Sequence, residues 1–477
     1  MAKEIGITVR KEENFSEWYA QVVLKSGIAD YFAVKGTIAL KPYGYAIWEM
    51  VKKRFDLMLK RTGHRNVYFP TLIPEKLLAK EAEHFKGFVP EVFWVTRAGD
   101  RELGEELALR PTSETIVYAL YSKWIKSWRD LPVLYNMWNS VFRAEIKATK
   151  PLVRNSEFLW QEGHTVHESE EDAEREVRRI LRLYRRLAEE YLAIPVLEGR
   201  KSEREKFKGA VYTMTLEAMM PDGKAIQVAT SHNLGQNFSI PFEVRFLGRD
   251  GKEHYAWTTS WGFSWRMIGA MIMIHGDDKG LKLPPRIAPI QCIIVPISYS
   301  KREREEVLKK ARRVLRMLRR ARLRAELDER EEYTPGWKFN DWELKGVPLR
   351  IEVGPRDVRE GCVVMVRRDT GKKEKVPDGE VVERAKELLS DIQREMLRRA
   401  REMLRRMTRS ADGYEEFKGL IKEGGFVKAG WCGSEECEVK IKEETGADIR
   451  LLTDEKAKTC VYCGRPAKAL AYFARAY

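Results

Sequence analysis

The stretch "VFRAEIKATKPLVRNSEFLWQEGH" runs from Val141 to His164. Arg143 and Glu145 stand two residues apart beside Val141 and Phe142, and a basic, proline-containing loop and a second aromatic run follow. In a strand, residues i and i+2 point to the same face, so Arg143 and Glu145 are expected to share one side of a sheet. One reading is a surface ion pair, a common feature worth little energetically. The other comes from the surroundings. Two strands, expected over Met137–Ile146 and Glu157–His164, flank the loop "KATKPLVRNS". The loop adds Lys147, Lys150 and Arg154, and the second strand offers Phe158, Trp160, Gln161, Glu162 and His164. A guanidinium forks onto a phosphate or carboxylate, and an aromatic on the neighbouring strand can stack on a base.

The rest of the chain sets the scale. Its 477 residues are enough for two to four domains, and a hydrophobic fraction of 43% supplies real cores. Lys and Arg outnumber Asp and Glu by 87 to 72, a net charge of +15, which suits nucleic acid or phosphorylated substrates. The same excess also fits a thermophile-like surface. The opening "MAKEIGITVRKEENFSEWY" has no apolar h-region and no run of 18 apolar residues occurs, so a cytoplasmic protein without signal peptide or membrane span is expected. Of six cysteines, Cys292 and Cys362 sit alone among apolar neighbours and read as core thiols. Cys432, Cys437, Cys460 and Cys463 form C-x4-C and C-x2-C pairs separated by 22 residues. In a reducing compartment that spacing argues for a closed, tetrahedral, structural Zn²⁺ site rather than disulfides.

Residues Tyr45 to Arg61 carry helical apolar spacing at Ile47, Val51, Phe55 and Met58. "VYFPTLIP" reads as a strand interrupted by Pro70, better suited to an edge or interface than to a sheet centre. From about Phe93 to Ile274 strand-like segments dominate, with one charged helix at Glu170–Leu192. This predicts an antiparallel sheet with helices packed on it. Near "LPPRIAPIQCIIVPIS" a prolyl hinge leads into a buried strand, then a basic helix with apolar Leu308, Ala311, Leu315 and Leu318, further strands, and the long helical run "DGEVVERAKELLSDIQREMLRRAREMLRRM". That alternation predicts a compact α/β domain, followed from about Tyr414 by a Cys-bearing domain.

Two more constellations carry chemistry. "LALRPTSET" places Thr112 and Glu114 in a loop opened by Pro111. Ser113 or Thr112 there either caps the helix "TIVYALYSKWI", or a hydroxyl and a carboxylate are aimed at a cationic amine. In "SWGFSWRMIGAMIMIHGDDKGLKLPPRIAP", Arg266 begins a Gly- and Met-rich apolar helix. A buried guanidinium at a helix start, against the macrodipole, calls for an anion.

Taken together, the strand ending in Pro70, "FRAE…F" at Phe142–Phe158 and "GFSWRMIGAMIMIHGDDKGLKLPP" resemble, in order, the three signature motifs of class II aminoacyl-tRNA synthetases. "RPTSE", "WQEGHT", "ATSHNLGQNFS" and "YTPGWKFNDWELKGVPLRIEVGPRD" resemble the archaeal/eukaryotic type of prolyl-tRNA synthetase, over essentially the whole chain. The resemblance implies an α+β catalytic domain over 1–283, an α/β anticodon-binding domain over 284–400 and a zinc-containing α+β C-terminal domain over 401–477. It implies ATP, Mg²⁺, L-proline and tRNA(Pro) as cofactors and partners, and a homodimer built on the first motif. Only about a hundred residues separate the second and third motifs, so the editing domain inserted in bacterial relatives is expected to be absent.

The resemblance also implies residue roles. Arg143 is expected to bridge the prolyl carboxylate and the α-phosphate, and Phe158 and Arg266 to hold adenine and phosphate. Glu145 would read the adenine edge, Arg154 would hold phosphate, and Gln227 and Thr230 would line the ATP and Mg²⁺ side. Thr112, Glu114, Trp160, Glu162, His164, His232 and Ser264 would surround proline. Lys338, Glu343 and Arg350 are the candidates for reading the anticodon. Two competitors remain at this stage. One is a non-catalytic paralogue, against which Arg143 and Arg266 are both present. The other is a sister enzyme charging threonine, glycine or histidine, against which stand "TSE" and "SHNLGQNFS".

Overall fold

A computed structural model describes residues 6–84, 91–144, 148–298 and 300–477. An eleven-stranded sheet forms its backbone. At the centre, Tyr212–Met219, Ala225–Gly235, Trp257–Ser264, Glu157–His167 and Val133–Phe142 lie side by side, each antiparallel to the next. This is the antiparallel sheet expected from the strand-rich middle of the sequence. A second, five-stranded sheet contains Cys292–Pro296 flanked by Ala325–Leu327 and Leu349–Val353 in parallel, then Cys362–Arg367 and Lys373–Pro377 antiparallel.

Helix Pro42–Arg61 covers the back face of the central sheet. Pro42 sits at its start, where the missing N–H costs nothing, and Ile47, Val51, Phe55 and Met58 are buried, as their spacing predicts. Phe55 stacks on Tyr184 of helix Glu170–Arg186 at 5.0 Å and meets Phe263 edge-on at 5.2 Å. These rings and Trp261 pack the back of the sheet, where Gln161 is satisfied by Tyr184 and Asn136, while Phe158, Trp160, Glu162 and His164 of alternate register face the front.

Several sequence expectations shift. The strand expected over Met137–Ile146 ends at Phe142. Beyond it the Arg143 N–H still donates to the Ser156 carbonyl at 2.7 Å, but the Ala144 N–H turns away to the carbonyl of Glu91. Glu145 and Lys147 lie outside the described residues. "VYFPTLIP" is interrupted at Pro70 as expected: Leu72–Pro74 is its one paired strand among the described residues, and Arg65–Asn66 pairs just before it. The reason is Arg110, whose buried guanidinium takes the Phe69 and Pro70 carbonyls at 2.7 and 3.1 Å, while Pro70 has no N–H to offer a ladder. The charged helix ends at Arg186 and continues as a π turn over Leu187–Tyr191. In helix Lys301–Arg320 the buried stripe is Val307, Ala311, Val314 and Leu318, one position off the expected Leu308 and Leu315.

The C-terminal strands do not stand apart. Phe426–Trp431, Ala469–Ala474 and Asp448–Thr453 extend the large sheet, joining it at the strand pair Leu452↔Arg200 and at the bridge Ala225↔Ala476. Helix Val381–Arg406 runs through residue 400, and its Leu404 shares an apolar cluster with Met219, Ala225, Phe426 and Tyr472. Among the described residues, no helix is long and apolar enough to cross a membrane.

Candidate active site

The front of the central sheet holds a cleft of about 230 Å³. Strand Glu157–His167 contributes Phe158, Trp160, Glu162 and His164, every second residue on one face. Ser264 and Arg266 come from the end of Trp257–Ser264 and the start of helix Arg266–His275. Ala225–Gly235 contributes Gln227, Thr230 and His232. Gln227 is out of step with the other two, and a bulge explains it. Leu216 pairs with Ala229 but Glu217 with Gln227, so Val228 is the extra residue and resets which side faces the cleft. Thr112 and Glu114 enter from the turn before helix Glu114–Trp124, and Arg143 from just beyond its strand.

At one end of the cleft the polar groups form a tight network. Ser113 is the N-cap residue, yet its hydroxyl makes no cap bond. It donates instead to Glu162 Oε1 at 2.5 Å, and Asn139 Nδ2 donates to the same oxygen at 2.6 Å. His164 Nε2 lies 3.0 Å from Glu162 Oε2. Burial alone would raise the Glu162 carboxyl, but the bond to His164 and those from Ser113 and Asn139 hold it below the ordinary range. His164 is the mirror case: burial alone would lower it, but Glu162 and the charge of Glu114 carry it above the ordinary histidine range. The Thr112 hydroxyl donates to Glu114. His232 is different again. Its Nδ1 lies 2.8 Å from the Thr213 hydroxyl, and burial pushes it down to about 3, with the charge of His164 adding to the effect, so it is neutral.

The other end is cationic. The Arg143 guanidinium lies 5.3 Å from the Phe158 ring centre and 5.8 Å from that of Trp160. Arg154 joins Arg143, Phe158 and Arg266 in an adjoining recess. Arg266 donates through Nε to the Val153 carbonyl at 3.2 Å. Burial, then the charges of Arg143, Arg450 and Arg154, lower it to about 10. Arg143, Arg154 and Arg266 line one recess and make this end strongly positive, a setting that suits an anionic ligand. Trp160 Nε1, His164 Nδ1 and Ser260 Oγ are buried at the cleft and find no partner among the described residues, so each is free to bond a ligand.

Of the sequence candidates, Thr112, Glu114, Arg143, Phe158, Trp160, Glu162, His164, Gln227, Thr230, His232, Ser264 and Arg266 share this cleft. Sequence reasoning missed Phe207, Thr213 and Ser260, which also line it. Phe207 packs on His232 at 4.8 Å. Its signal was available: it is the single aromatic in the charged run "KSEREKFKG".

Glu343 and Arg350 stand 3.3 Å apart in a small pocket with Trp342, Arg367 and Arg368. Lys338 is not in that pocket. It is buried elsewhere, its ammonium donating to the Asp328 carbonyl at 3.2 Å. The sulfur atoms of Cys432, Cys437, Cys460 and Cys463 all lie within 4.8 Å of one another, with Cys432 3.6 Å from Cys437 and 3.7 Å from Cys463. Zinc–sulfur bonds of about 2.3 Å in a tetrahedron put sulfurs about 3.8 Å apart, so the four thiols fit Zn²⁺.

Comparison with known proteins agrees in each region. Residues 93–275 match the model of the tRNA synthetase class II core domain (G, H, P, S and T), 291–388 that of an anticodon binding domain, and 414–477 that of a prolyl-tRNA synthetase C-terminal domain. The proline–tRNA ligase of Cenarchaeum symbiosum is 58% identical, covering 99% of this chain and all of the relative. Those of Rubrobacter xylanophilus and Natranaerobius thermophilus are 52% and 50% identical, covering 100% and 98% of this chain and 100% and 97% of theirs. A full-length match at this identity, over a cleft of this chemistry, places the chain in the proline–tRNA ligase family of class II aminoacyl-tRNA synthetases.

Proposed function

We propose that this protein joins L-proline to tRNA(Pro) in two steps through a prolyl-adenylate. The observation that carries the reading is the position of Arg143, stacked on Phe158 and Trp160 between the Glu162–His164 network and the Arg154–Arg266 end. An ion there touches a carboxylate on one side and a phosphate on the other. Thr112 and Glu114 receive the prolyl ammonium, and Trp160, His164, His232 and Phe207 enclose the ring. Ser264 and Glu162 complete that end, Glu162 by holding His164 in place. The nucleotide base lies on Phe158, and Arg154 and Arg266 take the phosphates.

The prolyl carboxylate is already an anion and needs no general base. Its oxygen attacks the α-phosphorus, the bond to the β-phosphate oxygen breaks, and pyrophosphate leaves. Rate then comes from alignment and from neutralising charge by Arg143 and Arg266. In the second step a terminal ribose hydroxyl of the tRNA attacks the mixed-anhydride carbonyl, its proton passes to a phosphate oxygen, and AMP departs with the bonding electrons. Gln227 and Thr230 offer hard oxygen donors on the phosphate wall, the type Mg²⁺ takes. When bound, Mg²⁺ would neutralise phosphate charge. Zn²⁺ on the four cysteines would brace the C-terminal region without entering the reaction.

The division at 283/284 and 400/401 is part of this reading, supported by the separate apolar cores around Cys292–Leu389 and Ala411–Phe473. So is a homodimer: Leu57, Tyr68, Leu72, Trp94 and Trp124 are large, apolar and exposed around the first motif. Cytoplasmic location and the lack of an inserted editing domain belong to the same proposal. Proline-dependent exchange of pyrophosphate into ATP is the test. Exchange with proline far above that with threonine, glycine or histidine is expected; no such preference would overturn the reading.

A further inference from the structure

The hairpin formed by Ala29–Tyr31 and Ile38–Leu40 takes no part in the mechanism above. Its tip is apolar and uncovered: Tyr31 is 48%, Phe32 64% and Val34 54% exposed. Lys35 and Lys41 flank it, both exposed. A short two-stranded hairpin gains nothing by holding aromatic rings in water, since their burial is worth far more than their exposure.

The tip is nevertheless held rigidly, and held to the cleft. Gly36 adopts φ +86°, and a Cβ there would lie 2.0 Å from Ser156 Oγ. Only glycine allows this approach. The Gly36 carbonyl accepts from the Ser156 N–H at 2.7 Å, and the Ser156 carbonyl accepts from the Arg143 N–H at 2.7 Å. Within the turn, the Thr37 N–H and hydroxyl both donate to the Val34 carbonyl, at 3.1 and 2.6 Å. The turn that carries the exposed rings is thus anchored two backbone hydrogen bonds from Arg143 and beside the loop that carries Arg154.

We infer that this hairpin is a stacking platform for the single-stranded 3′ end of the tRNA. The inference rests on the proposed aminoacylation, which requires that end to reach the cleft past the 148–156 loop. Rings of Tyr31 and Phe32 offer π faces to successive bases, and Lys35 and Lys41 match the backbone charge. A rigid platform loses little entropy on binding.

The test separates the two half-reactions. In the double variant Tyr31→Ser/Phe32→Ser, proline-dependent pyrophosphate exchange should stay within about twofold of wild type, while KM for tRNA in charging rises roughly tenfold or more, the size of a lost base–aromatic stack. Binding of a tRNA transcript shortened by its single-stranded 3′ residues should be the same for variant and wild type. Phe32→Trp, which keeps a stacking face, should charge normally and guards against a fold defect in the double variant. Unchanged KM for tRNA overturns the inference, whether or not the double variant dissociates; dissociation would assign the rings to a subunit interface. An equal fall in exchange and charging also overturns it, because the hairpin would then act through the Arg143 side. Absence of exchange in the wild type would instead refute the proposed reaction itself.

Discussion

Lys201, Glu217 and Arg450 form an ion triad sealed inside the protein, and breaking it makes a sharp prediction. Lys201 Nζ lies 2.8 Å from Glu217 Oε1, which also accepts from the Thr215 hydroxyl at 2.9 Å. Arg450, from the C-terminal strand Asp448–Thr453, gives Glu217 Oε2 two hydrogen bonds at 3.0 and 2.8 Å. All three are buried. Replacing Arg450 by Met removes both bonds to one oxygen and leaves the other oxygen paired. Losing one partner of a buried pair costs about 3–5 kcal/mol; with Lys201 still present, we expect the low end, about 3 kcal/mol. Lys201→Met should cost a similar amount, and Glu217→Leu about 5 kcal/mol, because it strands two buried cations. Simple addition would then put the triple variant about 11 kcal/mol down. The expected outcome is instead a triple variant near wild type, because apolar groups of similar volume avoid the desolvation that the triad repays.

Native-state hydrogen exchange of amides in Asp448–Thr453 reads the local opening directly. Protection should fall by about a hundredfold in Arg450→Met, the equivalent of about 3 kcal/mol, and return in the triple variant. The acid dependence has a definite sign. Burial alone would raise the Glu217 carboxyl, but the Arg450 and Lys201 charges hold it below the ordinary range. Its contribution is therefore complete above the ordinary carboxylate range and is lost as pH falls through the lowered value. The deficit of Arg450→Met, followed by urea midpoint, should shrink in acid. A triple variant as unstable as the summed singles, or a deficit that grows on acidification, would refute the reasoning.

Other predictions are more local. Arg143→Ala should lower pyrophosphate exchange by at least about a hundredfold, roughly 3 kcal/mol of lost transition-state contact, with an unchanged circular-dichroism spectrum; near wild-type exchange would remove Arg143 from its role. The isolated protein should carry one Zn²⁺ per chain, and Cys460→Ser should release it and loosen residues 414–477; metal analysis without zinc, with four freely reactive thiols, would contradict this. Alanine lacks ring methylenes worth only about 1–3 kcal/mol each in an apolar site, and a primary amine can use Thr112 and Glu114 as well. The protein should thus activate alanine measurably yet leave preformed alanyl-tRNA(Pro) intact, and deacylation above the spontaneous rate would reveal a hydrolytic site within 165–260.

Much of the architecture was legible because local chemistry is strict. Ile47, Val51, Phe55 and Met58 could form nothing but one face of a helix, and Phe158, Trp160, Glu162 and His164 alternate as a strand requires. The C-x4-C and C-x2-C spacing of Cys432, Cys437, Cys460 and Cys463 suits one tetrahedral site, and their sulfurs do gather. What sequence could not give was anything that depends on a distant partner. The interruption at Pro70 was legible, but its partner was not: Arg110, forty residues on, takes the Pro70 carbonyl. Gln227 faces the cleft only because a bulge at Val228 shifts the register against Leu216 and Glu217. Ser113 looks like a helix cap, but its hydroxyl accepts no cap bond and turns to donate to Glu162 on strand Glu157–His167. Lys338 is a candidate for reading the anticodon by sequence, and the structure buries it against Asp328. The C-terminal region reads as its own domain, but that its strands continue the large sheet and that Arg450 is buried on Glu217 shows only in the tertiary structure. Periodicity and residue type determine which face an element buries. Which polar groups are satisfied by whom is decided only when the chain closes on itself, because a buried hydrogen bond or charge needs its particular partner in place.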